Sequence, residues 1–89
     1  MNEETIRKLM YKTLREEPVG HFSQLLDRIR MTALSEGVKL HENELSVQAE
    51  QYICEVFLAL IQQDAINIEH HLQYCLTVKG MELLNKSRL

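Results

Sequence analysis

The sequence predicts a mostly α-helical chain with a small β-hairpin, and three observations predict it. Apolar residues recur at helical spacing through three successive segments. The spacing then drops to a period of two in two short runs, residues 66–69 and 73–76. A last helical stripe follows, so the expected order is helix, turn, helix, loop, long helix, hairpin, helix.

Eighty-nine residues fit one small domain, predicted to span 1–89, near the size where surface-to-volume ratio keeps stability modest. With 45% apolar and 26% charged residues, the composition is that of an ordinary globular protein rather than a disordered or disulfide-stapled one. Cys54 and Cys75 do not make a scaffold, and free cysteines usually pack in cores or on sheet faces. No apolar run resembles a signal peptide or a membrane span. The expectation is an intracellular protein, cytoplasmic or associated with the nucleoid or nucleus, with no membrane partner.

Ile6, Leu9, Met10 and Leu14 share a helical face over residues 5–15, and Asn2, Glu3 and Glu4 suit the start of that helix. The run Glu17-Pro18-Val19-Gly20 reads as a turn, because proline disfavours helical angles before it and glycine permits tight bends. Phe22, Leu25, Leu26, Ile29 and Ala33 form a second stripe, begun near His21 or Ser23 and stopped by Gly37. Residues 38–40 could be loop or a stub of strand, and are read as loop.

Asn43 or Ser46 can cap the third helix. Its stripe of Leu45, Ala49, Tyr52, Ile53, Val56, Phe57 and Leu60 is widened by Cys54, Leu58 and Ile61. Such a helix is apolar over more of its circumference than a minimal core needs. Either the hairpin and first helix cover the excess, or a partner or second copy does.

Ile66 and Ile68 alternate with polar residues, as do Tyr74 and Leu76, giving two half-buried strands joined through His70-His71-Leu72. Thr77 can cap a last helix carrying Val78, Met81 and Leu84, which fades into a polar tail from Asn85. Gly80 inside that helix costs about 1 kcal/mol relative to alanine unless close packing uses the missing side chain.

Two stretches carry a resemblance. LALIQQDAINIE looks like the end of a third helix running into a first wing strand, and YCLTVKGMELL is similar to a second wing strand and following helix. Over roughly residues 4–87 the chain resembles the winged-helix superfamily, with three helices and a two-stranded antiparallel wing followed by a C-terminal helix. HFSQLL with EVFLALIQQDAINIE more weakly resembles the winged-helix end of kleisins, linker subunits of chromosome-organising ATPase complexes, which would imply a protein partner. This chain departs from that pattern in being small and in adding a helix after the wing.

The usual winged-helix mode sends the third helix into the major groove and needs cations there and on the wing. From Leu40 to Val78 the chain has no Lys or Arg, but it has Glu42, Glu44, Glu50, Glu55, Asp64 and Glu69. Nucleic acid is therefore disfavoured for that surface. Ser46, Gln48, Gln51, Gln62 and Gln63 could reach base edges, but more simply form a solvated face. Lys8, Lys12 and Arg15 share one face of the first helix at spacings of four and three, a candidate basic ridge that is otherwise an ordinary solvated face.

His70, His71 and nearby Cys75 lack the paired spacing of a metal site, and no nucleophile elbow, phosphate loop or zincin motif occurs. No catalytic, cofactor or metal residues and no small-molecule ligand are expected. The expected function is a non-enzymatic interaction module. Its protein partner or second copy would meet Cys54, Leu58, Ile61, His70 and His71. The alternative is a small DNA-binding regulator that uses the basic first and second helices.

Overall fold

A computed structural model describes residues 2–86. The chain runs α1 (Glu3–Glu16), β1 (Val19–His21), α2 (Phe22–Ser35), α3 (Val47–Gln62), β2 (Ile66–Ile68), β3 (Gln73–Leu76) and α4 (Val78–Lys86). The fold is mostly helical with one small antiparallel sheet, ordered β1-β3-β2. Among the described residues no helix is long and apolar enough to cross a membrane.

The sheet has three strands rather than two, and the third comes from the segment expected to be a turn. Val19, Gly20 and His21 pair with Cys75, Tyr74 and Gln73, and the Leu76 amide donates to the Pro18 carbonyl at 2.8 Å. Proline needs no ladder partner for its own nitrogen, so Pro18 can open an edge strand. β1 is a strand only because β3 offers it an edge, and this non-local cause leaves no local periodicity.

Directly paired residues put their side chains on one face of the sheet. Gly20, Tyr74 and Ile68 share the inner face, which Ile66 and Leu76 continue into the core; Val19, Cys75 and Asn67 share the outer one. Tyr74, Met10, Leu14, Leu25, Ile29, Ile53, Leu60, Ile66 and Leu84 are fully buried. Phe57 joins helices to sheet, its ring 4.8 Å from Phe22 and edge-on to Tyr74 at 5.8 Å. Val78, expected on the core stripe of the last helix, is instead 78% exposed at its first position.

The helix ends follow their side chains. The Asn2 carboxamide accepts from the Thr5 amide at 2.8 Å, and the Ser46 hydroxyl from the Ala49 amide at 3.1 Å. Ser46 is thus the cap of α3; Asn43 lies in a tight turn at positive φ, and Leu45 lies before the helix rather than in it. His21 sits at the cap position of α2 but makes no side-chain cap bond. Gly37 ends α2 at φ +79°, with the Val38 amide bonded back to Ala33 and its own to Leu34. Asp64 ends α3 in the same way at φ +61°, with Ala65 bonded to Leu60. Residues 38–40 are loop, as expected. Asn85 and Lys86 extend α4; the rest of the expected polar tail, 87–89, lies outside the described residues.

The hairpin tip carries strain. His71 and Leu72 have φ of +59° and +61°, and the Gln73 amide bonds back to the His70 carbonyl. Two central residues at positive φ make a type I′ turn, whose right-handed twist matches the strands and which favours Asn-Gly. A branched side chain at positive φ costs about 1–2 kcal/mol. Replacing His71-Leu72 with Asn-Gly is therefore expected to stabilise the protein by about 1 kcal/mol in urea unfolding. Lower stability in that variant would show that the exposed pair contributes contacts to the fold.

Candidate protein-binding surface

The outward side of α3 follows from its inward side. Ala49, Ile53, Phe57 and Leu60 are buried against α1 and the sheet, so the opposite face is left to solvent. On that face Leu58 is 58% exposed and Val47 65% exposed, while Cys54 and Ile61 are half-buried. The excess apolar circumference is thus partly covered: Ile61 packs onto the core edge, and Leu58 stands in water. Ser46, Gln48, Gln51, Gln62 and Gln63 are all exposed.

His70 and His71 lie at the hairpin tip, exposed, with ring centroids 6.5 Å apart. Leu72 beside them is 59% exposed and Ile68 on the edge strand 40% exposed. The tip therefore presents apolar side chains as well as imidazoles. Among the described residues no group of three His, Cys, Asp or Glu side chains is placed to hold a metal.

The basic ridge is largely answered within the chain. Lys8 pairs with Glu4 at 3.4 Å, Lys12 with Glu36 of the α2 end, and Arg15 donates to the Leu84 carbonyl at 3.2 Å. Arg15 thereby complements the C-terminal turn of α4, where carbonyls lack helical partners. On α2, Arg30 holds Asp27 at 2.7 Å and reaches the Asn43 carbonyl at 3.3 Å, while Arg28 pairs with Glu17. Cations already held by carboxylates and carbonyls release fewer counterions from a phosphate backbone. The sequence spacing identified the ridge and placed Glu4 four residues before Lys8; Glu36 and the Leu84 carbonyl come from other elements and were not legible.

A second cluster escaped the sequence reading altogether. Tyr74 stands opposite Gly20, its hydroxyl donating to the Glu17 carbonyl at 3.3 Å beside the Arg28 guanidinium. A Cβ at position 20 would lie 3.0 Å from the Tyr74 oxygen and 3.1 Å from Arg28, so glycine makes room for the phenol. Burial pushes the phenol's pKa up from its ordinary value, against the opposing pull of Arg28. This cluster ties β1, β3 and α2 together and is structural. Between α1 and α2, Thr13 and Thr32 hydroxyls meet at 2.9 Å, each also within reach of its own helix's carbonyl four residues back. Two hydrogens cannot serve all three contacts at once.

Comparison of the chain with protein-family models, with curated proteins and with solved structures returned no match.

Proposed function

We propose that this chain is a protein-binding module of winged-helix type, without catalytic function, that takes its partner on the outer face of α3 and the adjoining hairpin tip. The element order α1-β1-α2-α3-β2-β3 and the sheet order β1-β3-β2 support the winged-helix reading. The observation that carries the functional reading is Leu58, an exposed leucine flanked by Cys54 and Ile61, within a tract that has no Lys or Arg from Leu40 to Val78. A duplex would be repelled by that tract, whereas a protein can bury its leucine.

The test compares the wild type with Leu58→Glu in capture from the source cell, alongside duplex-DNA titrations over a salt series. Burying one leucine side chain is worth about 1.5–3 kcal/mol, so a captured partner should be weakened at least tenfold by Leu58→Glu. A partner held equally by both proteins would remove the surface from consideration. A steep salt-dependent affinity for DNA, lost on neutralising Lys8, Lys12 and Arg15, would favour a DNA-binding regulator using α1 and α2 instead.

A further inference from the structure

The outer face of α3 has a spacing of its own. Val47, Gln51, Cys54, Leu58 and Ile61 follow one another at intervals of four, three, four and three, the repeat of a coiled-coil seam. The seam runs the length of a sixteen-residue helix, about 24 Å at the helical rise per residue. Val47, Cys54, Leu58 and Ile61 are its apolar members, and Gln51 is its one polar member. The inward stripe of Ala49, Ile53, Phe57 and Leu60 is separate from it; Cys54 and Ile61 are half-buried, Ile61 at the core edge, while Val47 and Leu58 stand in water.

Charge decides what can lie on this seam. At about 100° per residue, Glu50 falls on one side of it and Glu55 on the other. α3 contains no cation at all, and Asp64 follows its C-terminal end. A second copy of α3, in whatever register, would bring only carboxylates to the flanks, with nothing to answer them. An anionic lipid surface or a nucleic acid would meet the same repulsion.

We infer that the occupant is a basic amphipathic helix from another protein, its apolar stripe packed along Val47, Cys54, Leu58 and Ile61 and its Lys or Arg residues flanking Glu50 and Glu55. This rests on the reading of α3 as a protein-binding face and names the chemistry of the partner. Flanking charges set partner choice and orientation in helix pairing, while the apolar seam supplies most of the affinity.

The experiment uses the full chain and two synthetic helical peptides, each about three heptads long, with the same mixed Leu/Ala seam. One carries Lys at the flanking positions and the other Glu; binding is read by fluorescence anisotropy at low and high salt. The Lys peptide is expected to bind at least tenfold more tightly than the Glu peptide, with Leu58→Glu abolishing binding and the double variant Glu50→Lys/Glu55→Lys reversing the preference. Far-ultraviolet circular dichroism checks that these surface variants remain folded. Equal binding of both peptides, or binding of neither, overturns the inference. In the latter case a captured cellular partner that still depends on Leu58 would leave the α3 surface reading standing. A dimer seen by light scattering and broken by Leu58→Glu would also overturn it, in favour of a second copy.

Discussion

Replacing Gly80 with alanine is expected to destabilise this protein by about 3 kcal/mol or more. The sign is the informative part. In an exposed helix the same change stabilises by about 1 kcal/mol, because glycine carries the larger backbone entropy cost. Here a Cβ at position 80 would lie 2.0 Å from the Ala65 carbonyl oxygen and 2.9 Å from its carbon. Both are backbone atoms, fixed by the turn that ends α3, so no rotamer change relieves the overlap. The Ala65 carbonyl also accepts from the Thr77 amide at 3.0 Å. The Thr77 hydroxyl donates to the Asp64 carbonyl at 2.6 Å and accepts from the Gly80 amide at 3.0 Å. α4 is therefore seated on the α3–β2 corner through Thr77, and moving it away to admit a methyl group breaks those bonds. Thermal and urea unfolding of Gly80→Ala against the wild type decide the matter, and a melting temperature at or above the wild type would show that α4 is not seated so closely.

The second large effect is expected at Tyr74. Tyr74→Ala should cost about 3–5 kcal/mol, as removal of a fully buried aromatic ring does. A domain of this size has a total stability of only about 5–15 kcal/mol, so that variant should be at or near the unfolding threshold. Tyr74→Phe keeps the ring against Phe57 and loses the bond to the Glu17 carbonyl, which should cost about 1 kcal/mol. The two variants separate packing from hydrogen bonding.

Tyr74→Phe also exposes a pH dependence. The phenol's pKa is raised in the folded protein, chiefly by burial, so the folded state holds this proton more tightly than the unfolded state does. Its stabilisation is full below the ordinary phenol value of about 10 and is lost as pH rises through the folded value. The wild type should therefore lose stability above about pH 10 more steeply than Tyr74→Phe, which lacks the titrating group. Parallel alkaline slopes for the two proteins would show that Tyr74 is not protected from ionisation.

The helices were legible because their cause is local. The stripe of Ile6, Leu9, Met10 and Leu14 in α1 is its buried face, and the stripe of α2 likewise. The caps at Asn2, Ser46 and Thr77 and the glycine stop at Gly37 also act within one turn of chain. β1 was not legible, since Val-Gly-His after a proline has no period to read and becomes a strand only against β3. Of the candidate surface, the apolar excess of α3 could be seen in the sequence, but which of Cys54, Leu58 and Ile61 reaches solvent could not. Nor could the pairing of Lys12 with Glu36 or of Arg28 with Glu17 be seen, because those partners are distant in the chain.

By itself, the sequence determined the helical segments, the caps at Asn2 and Thr77, the hairpin and the absence of cations from Leu40 to Val78, because periodicity, capping and charge are properties of neighbouring residues. The tertiary structure alone decided the third strand, the seating of Gly80 on Ala65, the Tyr74 cluster and the exposure of Leu58. Each of these depends on which surfaces meet when elements far apart in the chain pack together. Burial and strand pairing are relations between such elements, and no window of sequence contains both partners.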